Sequence, residues 1–204
     1  MPKDKSDTYH KIIPAAKKEF LEKGFEKASM RAIASGAGMS AAGLYRHFSD
    51  KEAMFEELLK PLFEQFDLEF QRHRNQSYAL LECNRMDDMW MEHADIKLFI
   101  HLMYSYHDEF KLLICGSQGT KHANFIHDFV TMEEKETLDY LEEAKGKGIP
   151  VNDIVPKELH LLLSAYYSAV FEVIVHDFSR EDAEHYLKTL QRFFYPGWRT
   201  VLGL

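Results

Sequence analysis

Cysteine is almost missing from this sequence. Cys83 and Cys115 are the two in 204 residues; they form no CxxC and show no metal-ligand spacing. A disulfide-stapled scaffold is thereby excluded, and a reduced, cytosolic chain with buried, inert thiols is expected. Strand signals are missing too: there is no Asn-Gly hairpin pair and no sustained alternation of apolar and polar residues, which argues against a β-rich fold. The most apolar stretch, Leu159 to Val175, is broken by His160, Ser164 and Glu172, so it reads as a buried helix too interrupted and short for a membrane span. The first seven residues are polar and hold no apolar signal-peptide region. No GxSxG, GxxxxGK or HExxH occurs. Eleven histidines are present, but His122 and His127 are five apart and His101 and His107 six apart, off any single helical face. No enzymatic activity, no cofactor and no metal site are expected.

Charge is unevenly spread. Residues 1–51 hold 8 Lys and 2 Arg against 3 Asp and 3 Glu, a balance of +4. The remaining residues hold 15 basic against 27 acidic side chains, a balance of −12. A basic head on an acidic body is what arises when only the head meets phosphate.

What the sequence does have is apolar residues recurring at three and four, the period of an all-α protein. A first helix is expected between Thr8 and Lys23, with Ile12, Ile13, Ala16, Phe20 and Leu21 on its buried side, Gly24 just past its end, and either a kink near Pro14 or a start close to it. Short helices are expected at 30–35 and 41–47. Ser49 and Glu52 have capping-box spacing, and Asp50 is an alternative cap, for a long helix from there towards Arg74 that bends at Pro61. Further helical segments read as 80–91, 95–106, 108–115, 123–145, 157–175 and 180–195, with Pro196-Gly197 interrupting the last.

The stretch Ala28 to Phe48 carries the functional signal. Ser29 can cap a helix holding Arg31, Ile33 and Ala34; Gly38 suits a turn; Ser40 can cap the next helix, where Leu44 and Phe48 share a buried face. Two short helices joined by such a turn make a helix-turn-helix, whose second helix enters a major groove. Small Ala41, Ala42 and Gly43 let the backbone approach base edges. Arg31 and Arg46 can donate to guanine or phosphate, and Ser29, Tyr45, His47 and Lys51 are donors suited to phosphates.

These residues resemble the tetracycline-repressor (TetR) family of bacterial regulators across 12–59. The pattern is Ser29, Ile33-Ala34, Ala37-Gly38-Met39-Ser40, Leu44-Tyr45-Arg46-His47-Phe48 and Lys51-Glu52-Ala53. By that resemblance, Ser29, Tyr45, His47 and Lys51 contact phosphates, and Arg31, Ala41, Ala42 and Gly43 face bases. Arg46 serves either purpose, and Ser40 joins the interface at the helix start. The resemblance implies a helix-turn-helix domain over residues 1–50 and a helical ligand-binding and dimerisation domain over 51–204. The partners it implies are palindromic operator DNA, a second copy of the chain and a small apolar or amphipathic effector, with a cytoplasmic location.

Trp90, Phe99, Met103, Tyr104, Phe125, Phe129, Tyr166 and Tyr167 are the expected pocket residues, although the same residues would also build an ordinary core. Apolar faces on the two C-terminal helices make Leu159, Leu163, Tyr166, Val170, Leu187, Leu190 and Phe194 the expected dimer contacts. Two other readings stay open at this point: a helix-turn-helix regulator without a small effector, and a helical enzyme or metalloprotein.

Overall fold

The computed structural model describes residues 5–83, 85, 88 and 94–204. Its elements are α1 (Lys5–Lys27), α2 (Met30–Gly36), α3 (Ala41–Leu44), α4 (Lys51–Glu82), α5 (Ala94–Ser105), α6 (His107–Cys115), α7 (Phe125–Gly146), α8 (Pro156–Val175) and α9 (Arg180–Leu202). The described residues are all-α, as the apolar period predicts.

The chain folds as two compact units. One is Met1–Gln65 with Tyr106–Ala123; the other is Phe66–Ser105 with Asn124–Leu204. The head is thus larger than residues 1–50: it also takes in the first half of α4 and all of α6. Its core is Ile12, Ala16 and Phe20 of α1, Ile33 of α2, Leu44 of α3, and Met54, Phe55 and Leu59 of α4. Phe55 meets Phe20 and Phe25 edge-on, with ring centroids 5.2 and 5.3 Å apart.

Helix α1 starts earlier than expected and continues through Pro14, which withholds only one backbone donor; Leu21 is exposed and Ile13 half-buried, because the buried stripe follows Ile12, Ala16 and Phe20. Gly24 breaks it, at φ 70° and ψ 167°. The break lets the Phe25 N–H donate to the Gly116 carbonyl at the end of α6, 2.8 Å away.

In the second unit, Val130, Leu141, Leu159, Leu163, Trp198 and Leu202 form one core cluster from α7, α8 and α9. Helix α4 continues unbroken to Glu82, where the sequence pattern divides it near residue 74. Helix α9 likewise passes through Pro196-Gly197 and ends at Leu202. Trp198 and Leu202 are buried in the cluster, and that burial holds the last turns helical despite the missing proline donor. Gly203 closes the helix at φ 77°, and a Cβ there would lie 3.0 Å from the Asn152 backbone nitrogen. Asn152 in turn donates its N–H to the Leu202 carbonyl.

By length and composition α8 could cross a membrane, contrary to the sequence expectation. Here a third of that stretch is buried within its own chain, Leu159, Val170, Phe171, Val173 and Ile174 among it. Both cysteines are exposed rather than buried, because each stands at a helix C-terminal end.

Candidate nucleic-acid interface and ligand cavity

The head builds its outer surface from short, tightly capped pieces. Ser40 lies in extended backbone before α3, and its Oγ accepts the Gly43 N–H at 3.1 Å. Gly38, at φ 69°, makes the turn between α2 and α3 in the left-handed region that glycine enters at little cost. Leu44 is fully buried and Phe48 nearly so. Their burial turns Tyr45 outward, 52% exposed, together with Arg46 and His47.

Arg31, Ser29, Ser40 and Ala42 are also exposed, and Ala41 is half-buried. These eight residues occupy the two helices and the flanking turns of one helix-turn-helix. Replacing Ser40 with alanine removes the α3 cap and should cost about 1 kcal/mol, read as a lower urea midpoint. An unchanged midpoint would mean that the cap contributes nothing.

Three residues of the expected interface sit differently. Gly43 is buried, because its N–H turns back to Ser40. Ser29 makes no side-chain cap bond; its backbone N–H donates instead to Glu19 Oε1 at 3.2 Å. Lys51 has its ammonium 4.4 Å from the Phe25 ring centroid, donating to the carbonyls of Glu26 and Ala28 at 3.0 and 3.3 Å. It ties the start of α4 to the end of α1, which nothing in the residue's sequence position reveals. Of the two candidate caps for α4, Asp50 is the one used: its Oδ1 accepts the Ala53 N–H at 2.7 Å. That bond holds its carboxyl below the ordinary carboxylate range.

The second unit holds a partly open cavity of about 730 Å³. Of the expected pocket residues, Phe99, Phe129, Tyr166 and Tyr167 line it. Met103 is fully buried elsewhere, and Tyr104 sends its hydroxyl to the Phe178 carbonyl at 2.8 Å. Phe125 lies behind the wall, its ring 6.1 Å from that of Phe129. Trp90 falls outside the described residues. Sequence reasoning missed the second half of α4, which contributes Phe66, Phe70 and His73, and it missed Glu133, Gln191 and Trp198.

Polar groups punctuate the apolar wall. Tyr167 donates to Glu133 Oε2 at 2.6 Å, and Gln191 Nε2 donates to the Tyr195 hydroxyl at 2.7 Å. Burial raises the tyrosine hydroxyls of Tyr166 and Tyr167 far above their usual ionisation range, so both remain protonated. Among the described residues no three His, Cys, Asp or Glu side chains are grouped to hold a metal ion.

The expected dimer contacts mostly face inward. Leu159, Leu163, Val170, Leu187 and Leu190 are buried in the chain's own core, and Leu159, Leu163, Val170 and Leu187 also border the cavity. Tyr166 and Phe194 are half-buried against each other, with centroids 5.2 Å apart. The outward apolar residues of the same helices are others: Leu161 at 69% exposed, Leu162 and Val175 on α8, and Phe193 at 77% and Val201 on α9. Both helices are apolar on two sides, so spacing alone does not tell which side the chain's own core takes.

The short α2 and α3, the glycine turn and the exposed Arg31, Tyr45, Arg46 and His47 make up a helix-turn-helix with its donors turned to solvent. Residues 12–58 match the family described as bacterial regulatory proteins, tetR family. The HTH-type transcriptional repressor KstR2 of Mycobacterium tuberculosis H37Rv is 37% identical over 144 residues, covering 67% of this chain and 66% of that protein, just under two thirds of its length. The HTH-type transcriptional regulator UidR of Escherichia coli K12 is 37% identical over 59 residues, 29% of this chain and 30% of that protein. In fold the chain is similar to a crystal structure of NalD, the secondary repressor of the MexAB-OprM multidrug efflux pump in Pseudomonas aeruginosa. That likeness has a TM-score of 0.52 at 21% identity, over 93% of this chain and 97% of that one. Residues 12–58 thus carry the helix-turn-helix of the tetR family of bacterial regulatory proteins.

Proposed function

We propose that this regulator is a cytoplasmic homodimeric repressor of a palindromic operator, and that a small apolar or amphipathic molecule in the cavity releases it. The observation that carries the effector is the cavity of about 730 Å³, which fits a drug-sized ligand. The repressor name of the similar protein KstR2 supports the direction of control. Helix α4 supplies the route. Its first half belongs to the head, and its second half presents Phe66, Phe70 and His73 to the cavity.

Two heads related by a two-fold axis can occupy adjacent major grooves only about 34–36 Å apart. A ligand that prefers a different spacing therefore lowers operator affinity, and operator DNA weakens the ligand by the same factor. On the DNA side, Arg31 and Arg46 supply guanidinium donors. Tyr45, His47 and the Ser29 hydroxyl meet phosphates, while Ala41 and Ala42 allow close approach to base edges. Lys51 and Gly43 act here through the shape of the head.

Selection of bound duplexes from a random pool tests the reading. It should return an inverted repeat, bound with an affinity that falls steeply with salt. Arg31→Ala should cost about 1–3 kcal/mol and relax preference at one position of each half-site. The absence of salt-sensitive affinity for any duplex would refute the function, and an unchanged preference in Arg31→Ala would refute its role in base reading.

A further inference from the structure

Glu133 stands apart from the other acids of the cavity. Glu136 is paired with Arg74 Nε at 3.0 Å, Glu69 with Arg72 at 3.7 Å and Asp88 with Arg85 at 2.5 Å. Glu133 forms no ion pair with any described lysine or arginine. Its Oε2 takes the Tyr167 hydroxyl at 2.6 Å, while Oε1 accepts no hydrogen bond from a described residue. The side chain is closely surrounded by protein, and it lines the cavity.

Aromatic rings stand around it. Phe129 and Tyr167 meet edge-on at 4.7 Å, Phe66 and Phe129 at 5.6 Å, and Tyr166 and Tyr167 at 5.1 Å. A carboxylate in so apolar a place is costly to ionise without a counter-charge. Burial accordingly raises its pKa; Glu136 adds to that, while the Tyr167 bond and His73 oppose it. A positive ligand would relieve the cost, and ring faces attract cations further. A negative ligand would set a second charge of the same sign against Glu133 in a medium that screens poorly.

We propose that the cavity selects lipophilic cations, with Glu133 as the counter-ion and Phe129 and Tyr167 as walls around the positive centre. This rests on the reading of the cavity as an effector site and names the chemical class of the effector. A neutral apolar ligand would use the same walls and leave Glu133 without a task.

Tetraphenylphosphonium and tetraphenylborate share size and shape and differ in the sign of charge. Titration calorimetry on the 204-residue protein should show the phosphonium binding at least ~10-fold more tightly, because only it complements the half-buried acid. Glu133→Gln should reduce phosphonium affinity by ~10-fold or more and leave borate binding unchanged or stronger, while Glu133→Asp keeps the preference for the cation. Thermal melts report whether each variant is folded. If Glu133→Gln is not, the wild-type pair and Glu133→Asp decide the matter. Equal binding of the two ions, binding of neither, or an unaffected Glu133→Gln would overturn the proposal. Operator affinity at saturating phosphonium is a separate reading. Release from DNA supports effector control. Tight phosphonium binding with unchanged operator affinity overturns effector control and leaves the cation preference standing.

Discussion

Phe55→Ala should destabilise the head by about 3–5 kcal/mol, the range for deleting a fully buried ring. The ring has no solvent exposure and meets both Phe20 and Phe25 edge-on. Its removal therefore takes away apolar burial and two aromatic contacts at once. The cavity left behind lies under the site where Lys51 stands over Phe25 and binds the carbonyls that end α1. Those linkages should loosen together. Folded domains hold only about 5–15 kcal/mol in all, so a loss of this size leaves the head marginal. Urea denaturation should show an early transition for the head, with operator binding lost in the same range. The two compact units make separate transitions a reasonable expectation. A loss below about 1 kcal/mol would show that the neighbouring rings close over the gap.

Phe193→Glu should leave the monomer folded and abolish the dimer. Phe193 is 77% exposed, so the substitution removes little packing within the chain. Leu161 at 69% exposed, Leu162, Val175 and Val201 share the apolar character of these helices' outer sides. Such a surface is poorly explained in an isolated chain and well explained by an isologous helix-helix contact. In a two-fold interface a charge introduced once appears twice, desolvated and near its own copy. Sedimentation at micromolar concentration should move from dimer to monomer. Operator affinity should fall by about 10²–10⁴, since two tethered heads bind with the avidity that one head lacks. A variant that remains dimeric, or that keeps full operator affinity as a monomer, would refute this interface. Leu159→Glu makes the contrast: Leu159 is fully buried, so that change should unfold the second unit rather than separate subunits.

Much of the head is legible along the chain because its determinants are local. Leu44 and Phe48, four apart, bury together; Gly38 supplies the turn; and Ser40 caps the helix that follows it. Each of these acts within a few residues, where helix period and capping preferences are strongest. Gly43 and Lys51 are less legible for the opposite reason. The Lys51 ammonium is claimed by carbonyls more than twenty positions earlier in the chain, an association that spacing cannot signal.

The sequence by itself determined an all-α chain with a helix-turn-helix near its start and exposed donors at Tyr45, Arg46 and His47, in the turn that follows α3 rather than on the longer helix expected over 41–47. Period, glycine placement and caps act at short range and needed no partner. Only the tertiary structure decided which aromatic residues share a cavity. Phe66, Phe129, Tyr167 and Trp198 come from four helices spread over more than a hundred residues, and whether they meet a void or each other depends on how those helices pack. Tertiary packing also chose the inward side of α8 and α9. Both sides are apolar, so burial of Leu159, Leu163 and Leu187 against the chain's own core is what leaves Leu161 and Phe193 outside. The isolation of Glu133 shows only in three dimensions: Glu136 meets Arg74 of α4, Glu69 and Asp88 meet arginines three residues away, and no described lysine or arginine reaches Glu133.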